Sequence, residues 1–471
     1  MAAPVSVSVT AADWAAVLPV MVLGITGLAV LLADLVARDD VPRYAAILLA
    51  VVGTIVAGVL CYQQYGTQYA AFGGGFVVDY ASVIFEGLVL LATLGSVILY
   101  AAIGDKRHVA GAIALMLWSA SGAMVLAGAG NLMTVFLGLE LLSLALYTLC
   151  GMSERAGARE AALKYLILSS TASGFLLYGM ALLFGATGSI ALASLSNPVL
   201  ASNPIFWIGV GAFFVAICFK LSLVPFHTWV PDVYEGAPLP VTAFMSVATK
   251  AGVLAVLARV LLWSLPPQHA SALLLPVWIV AGISMIGGNV AMLAQTDLKR
   301  MLAYSGIAQI GYVLAALAGA STQGFDAALY YFAAYAFMNL GAFAVASMLS
   351  SDREEGALLT NYAGLAYRRP WLAFAMSVFL LAMAGLPPTA GFLGKIFILR
   401  TTVETGYIWL GILLVVGTAI SLYAYGRIVR AMYARASYPV HDAKPFVPLA
   451  AVSAALCAVA VIVLTFFPFT R

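Results

Sequence analysis

From Tyr165 to Phe219 the chain contains no Asp, Glu, Lys or Arg. Similar apolar blocks recur along all 471 residues, each about the 20 residues that one bilayer-crossing helix needs. The blocks are continuously apolar and do not alternate residue by residue. Backbone groups in hydrocarbon have to be satisfied internally, so a spanning chain is helical or a closed barrel, and continuous blocks select helices. Composition agrees: charged residues make up 9% of the chain, against roughly 25% in water-soluble domains, and the mean hydropathy is +1.05. The fold class read from this is all-α: a polytopic membrane protein, one transmembrane domain over residues 1–471, with about 14 transmembrane helices. The spans fall near 13–37, 44–62, 76–103, 109–126, 130–150, 161–186, 204–224, 238–262, 273–294, 301–318, 326–350, 370–398, 408–434 and 446–468. The lipid bilayer is therefore the first expected partner, and a net charge of +3 gives no reason to expect nucleic acid.

Basic residues set the orientation, because Lys and Arg accumulate on the cytoplasmic side. Alternate connections hold Arg38 and Arg43, Lys106 and Arg107, Arg155, Arg159 and Lys164, Lys299 and Arg300, Arg353, Arg368 and Arg369, and Arg430, Arg435 and Lys444. The intervening loops 63–75, 127–130, 187–203 and 319–325 have no Lys or Arg. An even number of spans with a basic-free start puts both termini outside the cytoplasm, with Arg400 and Arg471 as exceptions. The N-terminus lacks the positive start of a signal peptide, so the first apolar block is expected to be a retained helix.

Two spans should be interrupted. One break runs Leu223-Val-Pro225-Phe-His227 to Pro231 and Gly236-Ala-Pro238; the other is Gly385-Leu-Pro387-Pro388-Thr-Ala-Gly391. Proline removes a backbone donor and clashes with the preceding turn, so each run ends its helix. Broken helices at matching places in two halves mark transporters with internal repeats and a site at their interface.

The residues with chemical potential are charges at hydrocarbon depth. Glu140 lies mid-span in Phe136-Leu-Gly-Leu-Glu140-Leu-Leu-Ser143, Lys220 lies deep in the seventh span, Lys250 is central in the eighth, and Lys395 follows the second break. A charge at helix centre costs about 2.5–3.5 kcal/mol on insertion scales, so each should face protein or water and have a partner. Burial disfavours a charged lysine and a nearby carboxylate favours it, so a buried lysine beside a carboxylate can load and release a proton. Glu140 is the expected partner of Lys220. His227, at the first break, can pass a proton between its ring nitrogens. Glu86 and Arg259 read as outer-edge residues that snorkel or pair locally, and Asp79 and Asp326 as interfacial span ends.

Other chemistry is not signalled. The four cysteines, Cys61, Cys150, Cys218 and Cys457, sit singly in apolar blocks without metal or redox spacing. Gly209-Val-Gly211 begins like a dinucleotide fingerprint but lacks its third glycine and its strand–helix setting. No metal site and no cofactor site is expected in this chain.

The run Phe219-Lys220-Leu-Ser-Leu-Val-Pro225-Phe-His227-Thr-Trp-Val-Pro231-Asp-Val-Tyr-Glu-Gly236-Ala-Pro238 resembles the proton-translocating antiporter-like family shared by respiratory complex I and multisubunit cation/proton antiporters. Phe136–Glu140, Gln295-Thr-Asp297-Leu-Lys299-Arg300-Met-Leu-Ala-Tyr304-Ser305 and Gly385–Lys395 carry the same resemblance, over roughly residues 110–400. It implies two inverted five-helix repeats, each with a broken helix; by position they are residues 110–262 and 273–434. It also implies two half-channels joined by a hydrated axis, with Glu140, Lys220, Lys250 and Lys395 as the ionisable line. Lys395 and the short C-terminus resemble the N-type branch of the NADH:quinone oxidoreductase members. The implied function is proton translocation coupled to quinone reduction in partner membrane subunits. Quinone, flavin and iron–sulfur clusters are expected in those partners, making this chain part of an enzyme without a redox centre of its own. A subunit of a multisubunit cation/proton antiporter is the alternative.

Overall fold

The computed structural model describes residues 9–36, 41–104, 108–153, 156–265, 267–349, 358–435 and 447–468. Lys106, Arg107, Arg155, Arg353, Lys444 and Arg471 lie outside these, as does Arg38, and nothing is described of the Arg43 side chain. The helices are α1 (Ala11–Val36), α2 (Val41–Gln63), α3 (Tyr80–Ile103), α4 (Val109–Ala127), α5 (Leu132–Gly151), α6 (Ala156–Thr187), α7 (Pro204–Leu221), α8 (Trp229–Gly236) and α9 (Leu239–Arg259). They continue with α10 (Pro267–Leu293), α11 (Leu298–Leu317), α12 (Thr322–Ser347), α13 (Leu365–Arg368), α14 (Pro370–Ala384), α15 (Ala390–Glu404), α16 (Ile408–Tyr433) and α17 (Pro448–Phe466). Among the described residues, 12 helices are long and apolar enough to cross a membrane. The two further positions in the sequence-based set are held by α11, which carries Lys299, Arg300, Ser305 and Gln309, and by the interrupted pair α14–α15.

Helix starts follow side-chain capping. Asp79 caps α3 in a reciprocal box with Ser82, and Asn131, Asp297, Ser321 and Thr389 accept from the first-turn N–H groups of α5, α11, α12 and α15. One element departs from the all-helical expectation. In the loop after α2, strand β1 (Tyr69–Ala71) pairs antiparallel with β2 (Phe76–Val78), turning through the left-handed Gly73 and Gly74. Bridges Phe76↔Ala129 and Asn131↔Ala191 then tie together three of the connections that lack Lys and Arg.

At the centre stand α9, buried at every residue, and α12, nearly as enclosed. α12 packs against α3, α9, α11, α14, α15 and α17. Small residues let helices approach closely, as in other membrane bundles: a methyl added at Gly179 of α6 would meet the Phe213 backbone nitrogen of α7 at 2.7 Å. α1, α2, α6, α16 and α17 turn Leu, Ile, Val and Phe side chains outward, as a lipid-facing ring requires.

Both breaks form where proline demanded them, and they are alike. α7 ends at Ser222 in the left-handed region (φ +64°), followed by Leu223 and a cis Val224–Pro225 bond. α14 ends at left-handed Gly385 (φ +84°), followed by Leu386 and a cis Pro387–Pro388 bond.

Candidate functional site

On α5, Glu140, Ser143 and Tyr147 stand at i, i+3 and i+7 and share a face; on α6, Tyr165, Ser169 and Ser173 do so at i, i+4 and i+8. The two faces meet and the end of α7 delivers Lys220 between them. Lys220 Nζ donates to the Ser143 hydroxyl at 2.7 Å and the Ser169 hydroxyl at 2.5 Å. Tyr147 donates to Ser169 at 2.7 Å. The Glu140 carboxylate accepts a short hydrogen bond from Ser173. Glu140, the expected partner of Lys220, thus lies in the same cluster, with serine hydroxyls making the direct hydrogen bonds to each group. The hydroxyls that hold Nζ, Ser143 and Ser169, stand one turn along α5 and α6 from Glu140 and Ser173. The rings of Tyr165, Tyr147 and Phe219 surround Nζ at 5.3, 6.0 and 6.0 Å from their centroids, within cation–π range.

Lys250, midway along α9, points into the junction of α9, α11 and α12. Its Nζ is buried, as are the Tyr335 hydroxyl and the Asn339 amide oxygen on α12, and none of the three has a hydrogen-bond partner among the described residues. Buried polar atoms in proteins are ordinarily paired with protein or water, so a cluster of such atoms marks a place for water. Along α12, Tyr331, Tyr335 and Asn339 recur every four residues and form one polar stripe through the middle of the helix.

Beyond that stripe, Tyr331 donates a short hydrogen bond to Gln309 of α11, and Gln309 donates to the Met383 carbonyl at 3.3 Å. The same carbonyl accepts from Lys395 Nζ at 3.2 Å, and Ala384 O does so at 2.9 Å. These are the C-terminal carbonyls that the second break leaves open on α14, where a cation also meets the negative end of the helix dipole. Tyr312 covers Nζ at 4.8 Å.

Lys220, Lys250 and Lys395 are 3%, 1% and 4% exposed, so none of them snorkels to an interface. His227 is half-buried at the first break, near Tyr304, and its Nδ1 has no hydrogen-bond partner among the described residues. Glu86 does not snorkel: it is buried against α2 and paired locally, with the Cys61 thiol 3.6 Å from its carboxylate. Arg259 pairs locally, at 2.7 Å from Asp79. Asp326 lines a cavity with Arg400, Thr401 and Glu404 at the ends of α12 and α15. At the other end of the protein, Asp232 of α8 bridges Lys164 of α6 (2.8 Å) and Arg300 of α11 (2.7 Å), and Arg300 also holds Glu235.

The serines, Gln309 and the α12 stripe were not singled out from sequence. Uncharged polar residues are common in membrane helices, so each is weak evidence alone. The available signal was their spacing: Ser143 one turn from Glu140, and the four-residue repeats on α6 and α12.

Residues 129–421 match the family described as NADH:quinone oxidoreductase/Mrp antiporter, transmembrane. The chain is 39% identical over 457 residues to NADH-quinone oxidoreductase subunit N 1 of Symbiobacterium thermophilum, covering 94% of this chain and 93% of the relative. It is 40% identical over 427 residues to subunit N of Trichlorobacter lovleyi, covering 88% and 87%. Among solved structures, a chain of respiratory complex I from Thermus thermophilus with bound aureothin superimposes with a TM-score of 0.83 at 33% identity, covering 96% of this chain and 97% of that one. A chain of the Mrp complex from a Dietzia species shares the fold, with a TM-score of 0.81 at 20% identity.

Proposed function

Because this chain belongs to the NADH:quinone oxidoreductase/Mrp antiporter membrane family, we propose that it is the N-type antiporter-like subunit of a membrane-bound NADH:quinone oxidoreductase and carries protons along Glu140, Lys220, Lys250 and Lys395. It works among other membrane subunits of that complex in a bacterial inner membrane, with both termini on the periplasmic side. It contributes to the enzyme without a redox centre of its own; NADH oxidation and quinone reduction take place in partners.

The observation that supports this reading is three enclosed lysines, Lys220 and Lys395 beside the two helix breaks and Lys250 between α9, α11 and α12, with Tyr335, Tyr331 and Gln309 leading from Lys250 toward Lys395. The like geometry of those breaks, a left-handed residue, a leucine and a proline three positions on, supports residues 110–262 and 273–434 as two related repeats. The identity to N subunits supports this assignment over the cation/proton antiporter.

In this mechanism a charge change at one end of the subunit alters how strongly Glu140 attracts a proton-bearing Lys220. Ser143, Ser169 and Ser173 lie between the two groups and can each accept and donate, so they can pass a proton or reorient to follow it. His227 at the first break serves entry. The proton passes from Lys220 through water to Lys250, then past Tyr335, Tyr331 and Gln309 to Lys395. There the α14 carbonyls steady it before release to the periplasm. Lys250→Gln tests the line at its middle. In the purified complex in vesicles, protons moved per NADH should fall steeply while the variant still assembles; full pumping would remove the relay.

A further inference from the structure

Gly306 of α11 faces the two orphaned groups at the centre of the protein. A methyl built on it would lie 2.8 Å from Lys250 Nζ and 3.0 Å from the Tyr335 hydroxyl, closer than packed carbon tolerates. Both of those polar atoms are buried and lack a partner among the described residues. Gln309, which continues the line toward Lys395, follows one turn along the same helix. The missing side chain at residue 306 is therefore what leaves room where the lysine of α9, the tyrosine of α12 and the glutamine side of α11 converge.

We propose that Gly306 is a positioning residue for proton transfer, keeping open the junction in which Lys250 Nζ meets Tyr335 and the water that links them to Gln309. This rests on the relay described above and adds to it a residue that has no proton to give. The crowded atom is the end of a flexible lysine stem, not backbone, so an added methyl displaces Nζ and leaves the helices in place. Small displacements are enough to matter, since about 1 Å of misplacement can slow a transfer about 100-fold. The contrast is with Gly311 on the same helix, where a methyl would meet the Met285 backbone nitrogen at 2.8 Å and force the helices apart.

The test compares Gly306→Ala with Lys250→Gln and the unaltered chain, each in the whole complex. Complex abundance, protons moved per NADH and the pH profile of pumping are measured in vesicles. The expected result for Gly306→Ala is normal abundance, pumping lowered about tenfold or more, and a displaced pH profile, because Nζ no longer sits among the same neighbours. A purely structural glycine would lower abundance and leave the profile of the surviving complex unmoved, which overturns the proposal. Full pumping by Gly306→Ala beside an inactive Lys250→Gln also overturns it and leaves the relay standing; full pumping by Lys250→Gln defeats the relay itself. If Gly306→Ala does not assemble, Gly306→Ala with Tyr335→Phe, which removes the oxygen next to the methyl, is compared with Tyr335→Phe alone under the same criteria.

Discussion

The two breaks hold their lysines by different means. Lys220 precedes its break and is gripped by side chains from two other helices, Ser143 of α5 and Ser169 of α6, with Glu140 and Ser173 one turn away. Lys395 follows its break and is gripped by backbone, the Met383 and Ala384 carbonyls of the half-helix before it. Side-chain hydroxyls rotate and the carboxylate beside them can change its charge, so the first lysine occupies a setting that can be switched. Carbonyls at a helix end are fixed in direction and cannot titrate, so the second occupies a permanent cradle. In the proposed relay, control enters on the α5–α6 side and the α14–α15 side receives.

The strongest way to break this comparison is to remove each lysine. Lys220→Met and Lys395→Met should each lower protons moved per NADH about 100-fold, the contribution typical of a proton-transferring group. If both are stations on one line, the double variant should be no worse than either single one. Losses that multiply would mean two independent paths.

Next in size is Glu140→Gln, which takes the switch from the first setting and leaves the second cradle untouched. Pumping should fall about tenfold, the value of roughly 1.4 kcal/mol of altered interaction, with the pH profile displaced. An unaltered profile would show that Lys220 does not sense the carboxylate.

Ser143→Ala and Ser169→Ala probe the grip itself. A hydrogen bond contributes about 0.5–1.5 kcal/mol net, so each single variant, with one hydroxyl remaining, should slow pumping a few-fold and the pair more than the product of the two. The cradle of Lys395 has no side chain to delete. Its counterpart is Gly385→Ala, where the left-handed backbone costs about 1–2 kcal/mol and the new methyl would sit 2.9 Å from Lys395 Cδ. Thermal melting of the complex should register the first effect and pumping the second.

The smallest effect is expected at the ion cluster around Asp232. Burial by itself would raise the Asp232 carboxyl, but hydrogen bonds from Lys164 and Arg300 outweigh it and hold the group below its ordinary value of 3.8. A carboxyl lowered on folding stabilises the fold above that value and loses the contribution as pH falls through its own lowered one. Asp232 is about a third exposed, so Asp232→Asn should cost about 0.2–1 kcal/mol, measured as a small drop in melting temperature at neutral pH that vanishes in acid.

Much of the scaffold was legible because its signals are large. A charge in a charge-free helix and a proline in a span both oppose their surroundings by several kcal/mol, which is why Glu140, the three lysines and both interruptions stood out. The contacts between them were not legible. Whether Glu140 touches Lys220 depends on how far apart α5, α6 and α7 pack, and glycine and serine spacing sets that without announcing it. For Glu86 the sequence left snorkelling and local pairing open for a related reason: its depth along α3 follows from sequence, but the direction it faces depends on α2 packing over it. The β1–β2 pair escaped notice because three-residue strands leave no periodicity to find.

α9 is enclosed from Leu239 to Arg259, and at its far end Arg259 is bolted to Asp79. A rod pinned in this way cannot slide along its axis or roll without breaking a part-buried ion pair. The middle lysine therefore changes company only by swinging its own four-carbon stem. The backbone irregularities in the proposed path lie off that rod, at the helix breaks around Ser222 and Gly385.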